Sequence, residues 1–381
     1  MTDANRNHTP PDRSRPRMLV LAPHPDDESL AVGGLVQRAV SRGIDPQIVF
    51  VTDGENNPWA QRAVERRWRI GPAERERWRA RRRAEARNAL ACLGVPETAT
   101  TFLGYPDQGL TDLLRSGHPG LVWALREILC LLRPSLLVAP ALEDLHPDHS
   151  ALAVMTRFAL AGLEPEARRP RLLQYVVHRR GPCTNSSGAS LRLTPEERVH
   201  KRAAILCHAS QLMWRRRWLL AAAGATESFL PGAAAGEGSR HPVREPVFEG
   251  DRFHLELSPR SRLGAFGPVD LLIAFAGGDG YRLSLPLRSG TGLVVRWRDC
   301  TAVARAVVAR FHGITHVGLP AGLLPTGAEV FVKLERRFGF FDEAGWRLVV
   351  SRPAMERVDV PTTGARGAHE GVVERGARLA C

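Results

Sequence analysis

The sequence predicts an α/β protein with a doubly wound, mostly parallel sheet and a second, smaller β-sandwich-like domain. Three observations carry this. Short apolar runs alternate with helical patterns between positions 18 and 219, a βαβ rhythm. Each early run ends in a cluster of polar residues, at the strand edge where open α/β sheets bind ligands. After a Gly-, Ala- and Pro-rich stretch at 233–246, the apolar period becomes the two-residue alternation of half-buried strands. The layering of the first part is Rossmann-like, but no GxGxxG follows the first strand, so a dinucleotide site is not expected.

Residues 1–17 are polar and read as a disordered lead-in. Met18–Ala22 is continuously apolar, as a strand buried on both faces must be, and opens onto His24, Asp26, Asp27 and Glu28. Ser29–Ser41 has a helical pattern. Gln47–Thr52 is a second strand ending in Asp53, Gly54 and Glu55. Residues 60–93, rich in Arg, Glu and Ala, are predicted helical and stop near Gly94, with Arg82 and Glu85 three apart on one face. A strand at Thr100–Leu103 leads to Asp107, a helix covers Leu121–Leu132, and a strand at Leu136–Ala139 opens onto Glu143, Asp144, His146, Asp148 and His149. Further helices are expected at about 151–163 and 194–219, with a strand at 172–178 between them. The domains read as 18–232 and 247–350, joined by the 233–246 linker and followed by a polar tail at 351–381. Trp297 and Trp346 would make a sugar platform in the β unit only if exposed.

At 381 residues the chain can bury one large core and a smaller one. No apolar run approaches the ~18 residues of a membrane span, and no signal-like apolar segment follows the polar start, so a cytoplasmic location is the expectation. The six cysteines show no CxxC spacing and read as free thiols. The formal charge of +13 raises nucleic acid as a partner. However, Lys201 and Lys333 are the only lysines, and an Arg-, Ala-, Gly- and Pro-rich composition reads as coding bias. Nucleic acid is therefore not the expected main partner.

Two clusters have metal-ligand chemistry, HPDDE at 24–28 and HPDH at 146–149. Hydrolytic zinc uses two imidazoles and a carboxylate around an open position. His24, one of Asp26 and Asp27, and one of His146 and His149 would supply them. The remaining carboxylate would serve as general base and the remaining imidazole as acid or oxyanion donor. Alone, an Asp-Asp after a strand is more often a helix cap and HxxH a surface turn. Together on one sheet edge they point to chemistry.

The run HPDDExLxxGG from His24, the TDGE turn, the RxxE of Arg82 and Glu85, LGxxDxGL at 103–110, HPDH and KxxAxxxHxSQ at 201–211 together resemble the PIG-L/LmbE family of metal-dependent N-deacetylases, over about 18–232. The resemblance implies metal ligands His24, Asp27 and His149, with Asp26 as general base. It implies His146 as acid or oxyanion donor, oriented by Asp148. Arg82 and Asp107 would bind substrate, and Glu28 and Glu55 would support the site. The implied metal is Zn²⁺, with Fe²⁺ as the substitute. The implied reaction removes an N-acetyl or other N-acyl group from an amino-sugar conjugate through metal-activated water. The Arg/Trp segment at 56–79 and the β unit lie outside the shared pattern and bear on substrate rather than chemistry. The competing readings are a non-catalytic glycan- or nucleic-acid-binding protein and an amidase for another acyl-amine; the oligomeric state stays open.

Overall fold

The computed structural model describes residues 17–164, 169–179, 188–231, 241–244, 246–258, 269–276, 280–286, 288–336 and 341–349; residues 1–16 of the expected lead-in, most of the 233–246 linker and the 351–381 tail lie outside the described residues, whereas Arg17, expected in the lead-in, is the buried first residue of a strand. The first unit runs β1 (Arg17–Ala22), α1 (Asp27–Ser41), β2 (Asp45–Thr52), α2 (Pro58–Glu65), α3 (Pro72–Cys92), β3 (Thr100–Tyr105), α4 (Leu110–Arg115), α5 (Gly120–Leu132), β4 (Leu136–Pro140), α6 (Pro147–Ala161), β5 (Arg171–Tyr175), β6 (Ala189–Arg192), α7 (Pro195–Cys207), α8 (Ala209–Ala221) and β7 (Thr226–Pro231).

Its strands form one sheet in the order β3-β2-β1-β4-β5-β7-β6. The strands from β3 to β5 are parallel, and β7 runs antiparallel to β5 and β6. The connections from β1 to β2 and from β3 to β4 leave on opposite sides of β1, so β1 and β4 flank the topological switch point. The two polar clusters follow β1 and β4 directly.

The composition of β1 follows from burial on both faces. Met18, Val20 and Ala22 pack into the core with α1 and α3. Leu19 and Leu21 pack into the opposite core with α5 and α6. A polar residue within the strand would be buried without a partner.

Two helical expectations are corrected. The 60–93 region is two helices, because Arg66 adopts a left-handed conformation after α2 and Pro72 starts α3 afresh. The 194–219 region is also two helices, broken at His208, whose buried side chain turns inward to Glu28. The joint also brings Cys207 Sγ within 3.7 Å of Cys92 Sγ, a proximity the sequence spacing hides.

The second unit comprises β8 (Val247–Glu249), β9 (Arg252–Leu257), β10 (Val269–Phe275), β11 (Tyr281–Ser284), β12 (Gly290–Arg296), β13 (Ala302–Phe311), β14 (Ile314–Pro320), β15 (Val330–Arg336) and β16 (Arg347–Val349). They form one nine-stranded antiparallel sheet in the order β16-β15-β10-β11-β12-β13-β14-β9-β8. Strand β9 alternates, with Phe253, Leu255 and Leu257 buried. Strand β10 is buried throughout because it serves two cores: Leu271, Ile273 and Phe275 face the β unit's own interior, whereas Leu272 and Ala274, with Phe331 and Trp346, join the core of the first unit. Trp346 is 1% exposed, which removes it as a sugar platform.

The segment between β15 and β16 lies against the loop after β4. Asp342 N donates to Leu145 O and Trp346 N to Leu142 O, at 2.9 and 2.8 Å. The β unit thus braces the backbone immediately before His146. No described helix is long and apolar enough to cross a membrane.

Candidate metal and hydrolytic site

The polar clusters after β1 and β4 converge. Asp27 Oδ2 lies 3.3 Å from His24 Nδ1 and 3.2 Å from His149 Nε2, and those two nitrogens are 3.2 Å apart. A tetrahedral ion with ligand bonds of ~2.0–2.1 Å has ligand atoms about 3.3 Å apart, so this triangle has the size and donor chemistry of a zinc-type site. Other groupings, His24 with His146 and His149, and Asp27 with His149 and His178, also bring donor atoms within 4.8 Å.

Each donor is aimed by a further group. His149 Nδ1 lies 3.1 Å from Asp144 Oδ2, which leaves Nε2 toward the triangle. His24 Nε2 lies 3.1 Å from Asp107 Oδ1 and 3.4 Å from Asp148 Oδ2, which leaves Nδ1 toward the triangle. Asp27 Oδ2 also accepts the His24 backbone N–H at 2.9 Å. Burial alone would lower both imidazoles. For His24 the carboxylates of Asp107, Asp148 and Asp27 override it and hold the pKa well above its ordinary value. For His149, Asp27 and Asp144 raise it to about 10. A group of buried carboxylates around two imidazoles favours positive charge at its centre.

Asp26 faces the pocket beside the triangle. Its φ of 141° is a strained backbone for a non-glycine residue. The strain is held by its N–H donating to Glu28 Oε2 at 2.9 Å. Burial pushes its carboxyl up to about 6, against the pull of Arg82, whose Nη2 lies 3.4 Å away and also donates to the Pro25 carbonyl. Glu28 Oε1 accepts from Ser29 Oγ at 2.7 Å and pairs with His208 Nε2 at 3.0 Å.

His146 Nδ1 accepts the backbone N–H of Asp148 at 3.2 Å. In the neutral ring this assigns the proton to Nε2. Burial and the neighbouring His24, His149 and His178 push its pKa well below the ordinary value, so it is neutral near pH 7.

The remaining expected residues surround this centre, and Arg82 and Asp107 also line the pocket. The carboxylate of Asp148 accepts the backbone N–H groups of Gln108 and Leu110, so it meets His146 through its backbone and not its side chain. Asp107 is engaged by His24 and, through Oδ2, by Asn56 N at 2.8 Å. Arg82 is 3% exposed, with its guanidinium on Asp26 and Pro25. Glu55 Oε1 accepts Asp107 N at 3.2 Å.

Sequence reading assigned no role to Asp144, His178 or Phe341. Asp144 and His178 stand in the turns after β4 and β5, so the strand-end rule that singled out His24 also applied to them. Phe341 comes from the β unit, with its ring 6.0 Å from His146 and 5.1 Å from His178. No local signal marks it. The pocket, about 380 Å³, is walled by Asn57, Trp59 and Ala60 from the Arg/Trp segment and by Gln211, Arg215 and Trp218 from α8.

A profile of the family described as PIG-L, GlcNAc-PI de-N-acetylase, matches residues 19–160. The curated 1D-myo-inositol 2-acetamido-2-deoxy-alpha-D-glucopyranoside deacetylase of Mycobacterium sp. (strain KMS) is 33% identical over 48% of this chain and 61% of its own length. The Nocardia farcinica protein of the same name is 30% identical over 52% of this chain and 67% of its own length. Against the first of these, the chain spans less than two thirds of the relative. A solved structure of N,N'-diacetylchitobiose deacetylase from Pyrococcus horikoshii aligns with a TM-score of 0.44 at 21% identity, over 57% of this chain and 84% of that one.

Proposed function

The chain belongs to the PIG-L family, and on that footing we propose that it is a metal-dependent N-deacetylase that removes the acetyl group from an N-acetylglucosaminyl conjugate. We assign catalysis to the 18–232 unit and a supporting role to the 247–350 unit. The observation that carries the proposal is the triangle of His24 Nδ1, Asp27 Oδ2 and His149 Nε2 with Asp26 beside it in one pocket.

His24, Asp27 and His149 would hold a divalent cation, zinc or iron, which when bound would supply Lewis acidity and lower the pKa of water. The chain's own groups do the rest. Asp26, its carboxyl near 6, accepts the proton of the attacking water. Neutral His146 offers its Nε2–H to the oxygen that gains charge as the amide carbonyl becomes tetrahedral. The proton on Asp26 then passes to the departing amine. Arg82 holds Asp26 in place and keeps burial from raising its carboxyl further.

The relatives' named substrate is an inositol-linked N-acetylglucosamine, which supports an amino-sugar conjugate as the substrate class. The test is amine release from a panel of such conjugates, with protein stripped of metal and reloaded. Release that requires metal supports the proposal; no release from any member sinks it.

A further inference from the structure

A second cavity of about 650 Å³ adjoins the hydrolytic pocket and shares with it His178, Arg215 and Trp218. Arg179, Arg216 and Arg217 line only this outer cavity, together with Phe341 of the β unit. We propose that this is a subsite for an anionic group, phosphate or carboxylate, on the aglycone of the amino-sugar substrate; it rests on the deacetylase reading for what lies next door.

Part of the arginine surplus is neutralised by carboxylates. On α3, Arg77, Arg79, Arg83 and Arg87 each pair with a carboxylate. Among the described residues, Arg179, Arg215, Arg216 and Arg217 have no carboxylate within ion-pair distance, and all are exposed. Neighbouring like charges repel, and among the described residues no carboxylate offsets that cost here.

Successive residues of a regular helix point about 100° apart. Arg215, at φ −127° and ψ 19°, breaks that spacing, and Arg215, Arg216 and Arg217 all border one cavity. Arg215 lies over the rings of Trp218 and Phe341, at 5.9 and 5.7 Å. Trp218 is stacked on His178 at 7° between planes. A guanidinium stacked on aromatic faces keeps its in-plane N–H edge for an anion. Because Arg215 borders both cavities, an anion bound here belongs to the molecule whose acetamido group occupies the inner pocket.

Two probes share the acetamido sugar and differ in the anomeric substituent: N-acetylglucosamine 1-phosphate and methyl N-acetylglucosaminide. With the metal-loaded full chain, calorimetry should show the phosphate probe binding at least about tenfold more tightly, the scale of one charge-assisted hydrogen bond. Arg216→Ala/Arg217→Ala should reduce that ratio to within about twofold, while Arg75→Ala on α3 keeps it. Glucuronate-linked N-acetylglucosamine in place of the phosphate probe separates carboxylate from phosphate preference. Equal binding of charged and neutral probes overturns the subsite, as does a ratio unchanged in the double variant. A single-stranded oligonucleotide that displaces the phosphate probe at lower concentration overturns it in favour of a polyanion surface. Amine release is read in the same samples: charge preference without release keeps the subsite and sinks the deacetylase, whereas release at equal efficiency from both probes does the reverse.

Discussion

The Nδ1 of His149 lies 3.1 Å from Asp144 Oδ2, and this contact decides which imidazole nitrogen faces the site. Asp144 is fully buried and also accepts backbone N–H groups from His146, Val177 and His178, so one carboxylate ties the turn after β4 to the turn after β5.

Asp144→Asn should therefore weaken metal retention about 10- to 100-fold, the usual effect of removing a group that orients a metal-binding histidine. Competition against a graded series of chelators measures it. Retention equal to the wild type would remove Asp144 from the site.

Asp26→Asn should keep the metal and lose turnover by about 10²- to 10⁴-fold, the range for a general base. Metal content by mass spectrometry and amine release on the same preparation check both halves. Normal turnover would place the base elsewhere.

Gly345 sits where an added Cβ would fall on the Leu142 carbonyl oxygen, a backbone atom that cannot step aside. Gly345→Ala should displace the segment before β16, break the Trp346–Leu142 hydrogen bond and lower both stability and activity. Trp346→Ala, which empties a buried indole, should cost about 3–5 kcal/mol. Urea unfolding and kcat are the measurements. Wild-type kcat in the Gly345→Ala variant would show that the β unit does not brace the His146 loop.

Lys333 and Asp342 form a buried pair, Nζ to Oδ2 2.6 Å, whose alignment is that of an ion pair more than of a hydrogen bond. Burial raises the Asp342 carboxyl from 3.8 to about 6, in spite of Lys333. A carboxyl raised on folding is protonated more in the folded than in the unfolded state between those values. Its stabilising contribution is full below pH 3.8 and is lost as pH rises through about 6. Asp342→Asn should flatten this part of the stability profile by about 2–3 kcal/mol. Melting temperatures of both proteins from pH 4 to 7 give the comparison, and parallel curves would exclude the effect.

Much of the site was legible in the sequence because strand ends and their polar turns are local features. HPDDE and HPDH each stand within a few residues of an apolar strand, and parallel strands carry both to one edge. The break at His208 was not legible, since it arises from a buried contact with Glu28, 180 residues away in sequence. The positions of Asp107 and Asp148 were also hidden. Asp107 does line the pocket, but its contact with His24, and that of Asp148 with His24 and two backbone N–H groups, depend on the packing of the 108–110 turn on α6.

By itself the sequence determined the layered α/β unit, the sheet edge that carries the two polar clusters and the residue types available there, because period, capping and strand-end polarity are written in neighbouring residues. The tertiary structure decided which atoms meet. It set the nitrogen each histidine presents, the carboxylate that turns it, and the entry of Phe341 beside His146 from a separate β unit. Those depend on contacts between segments far apart in the chain, and no local pattern encodes them.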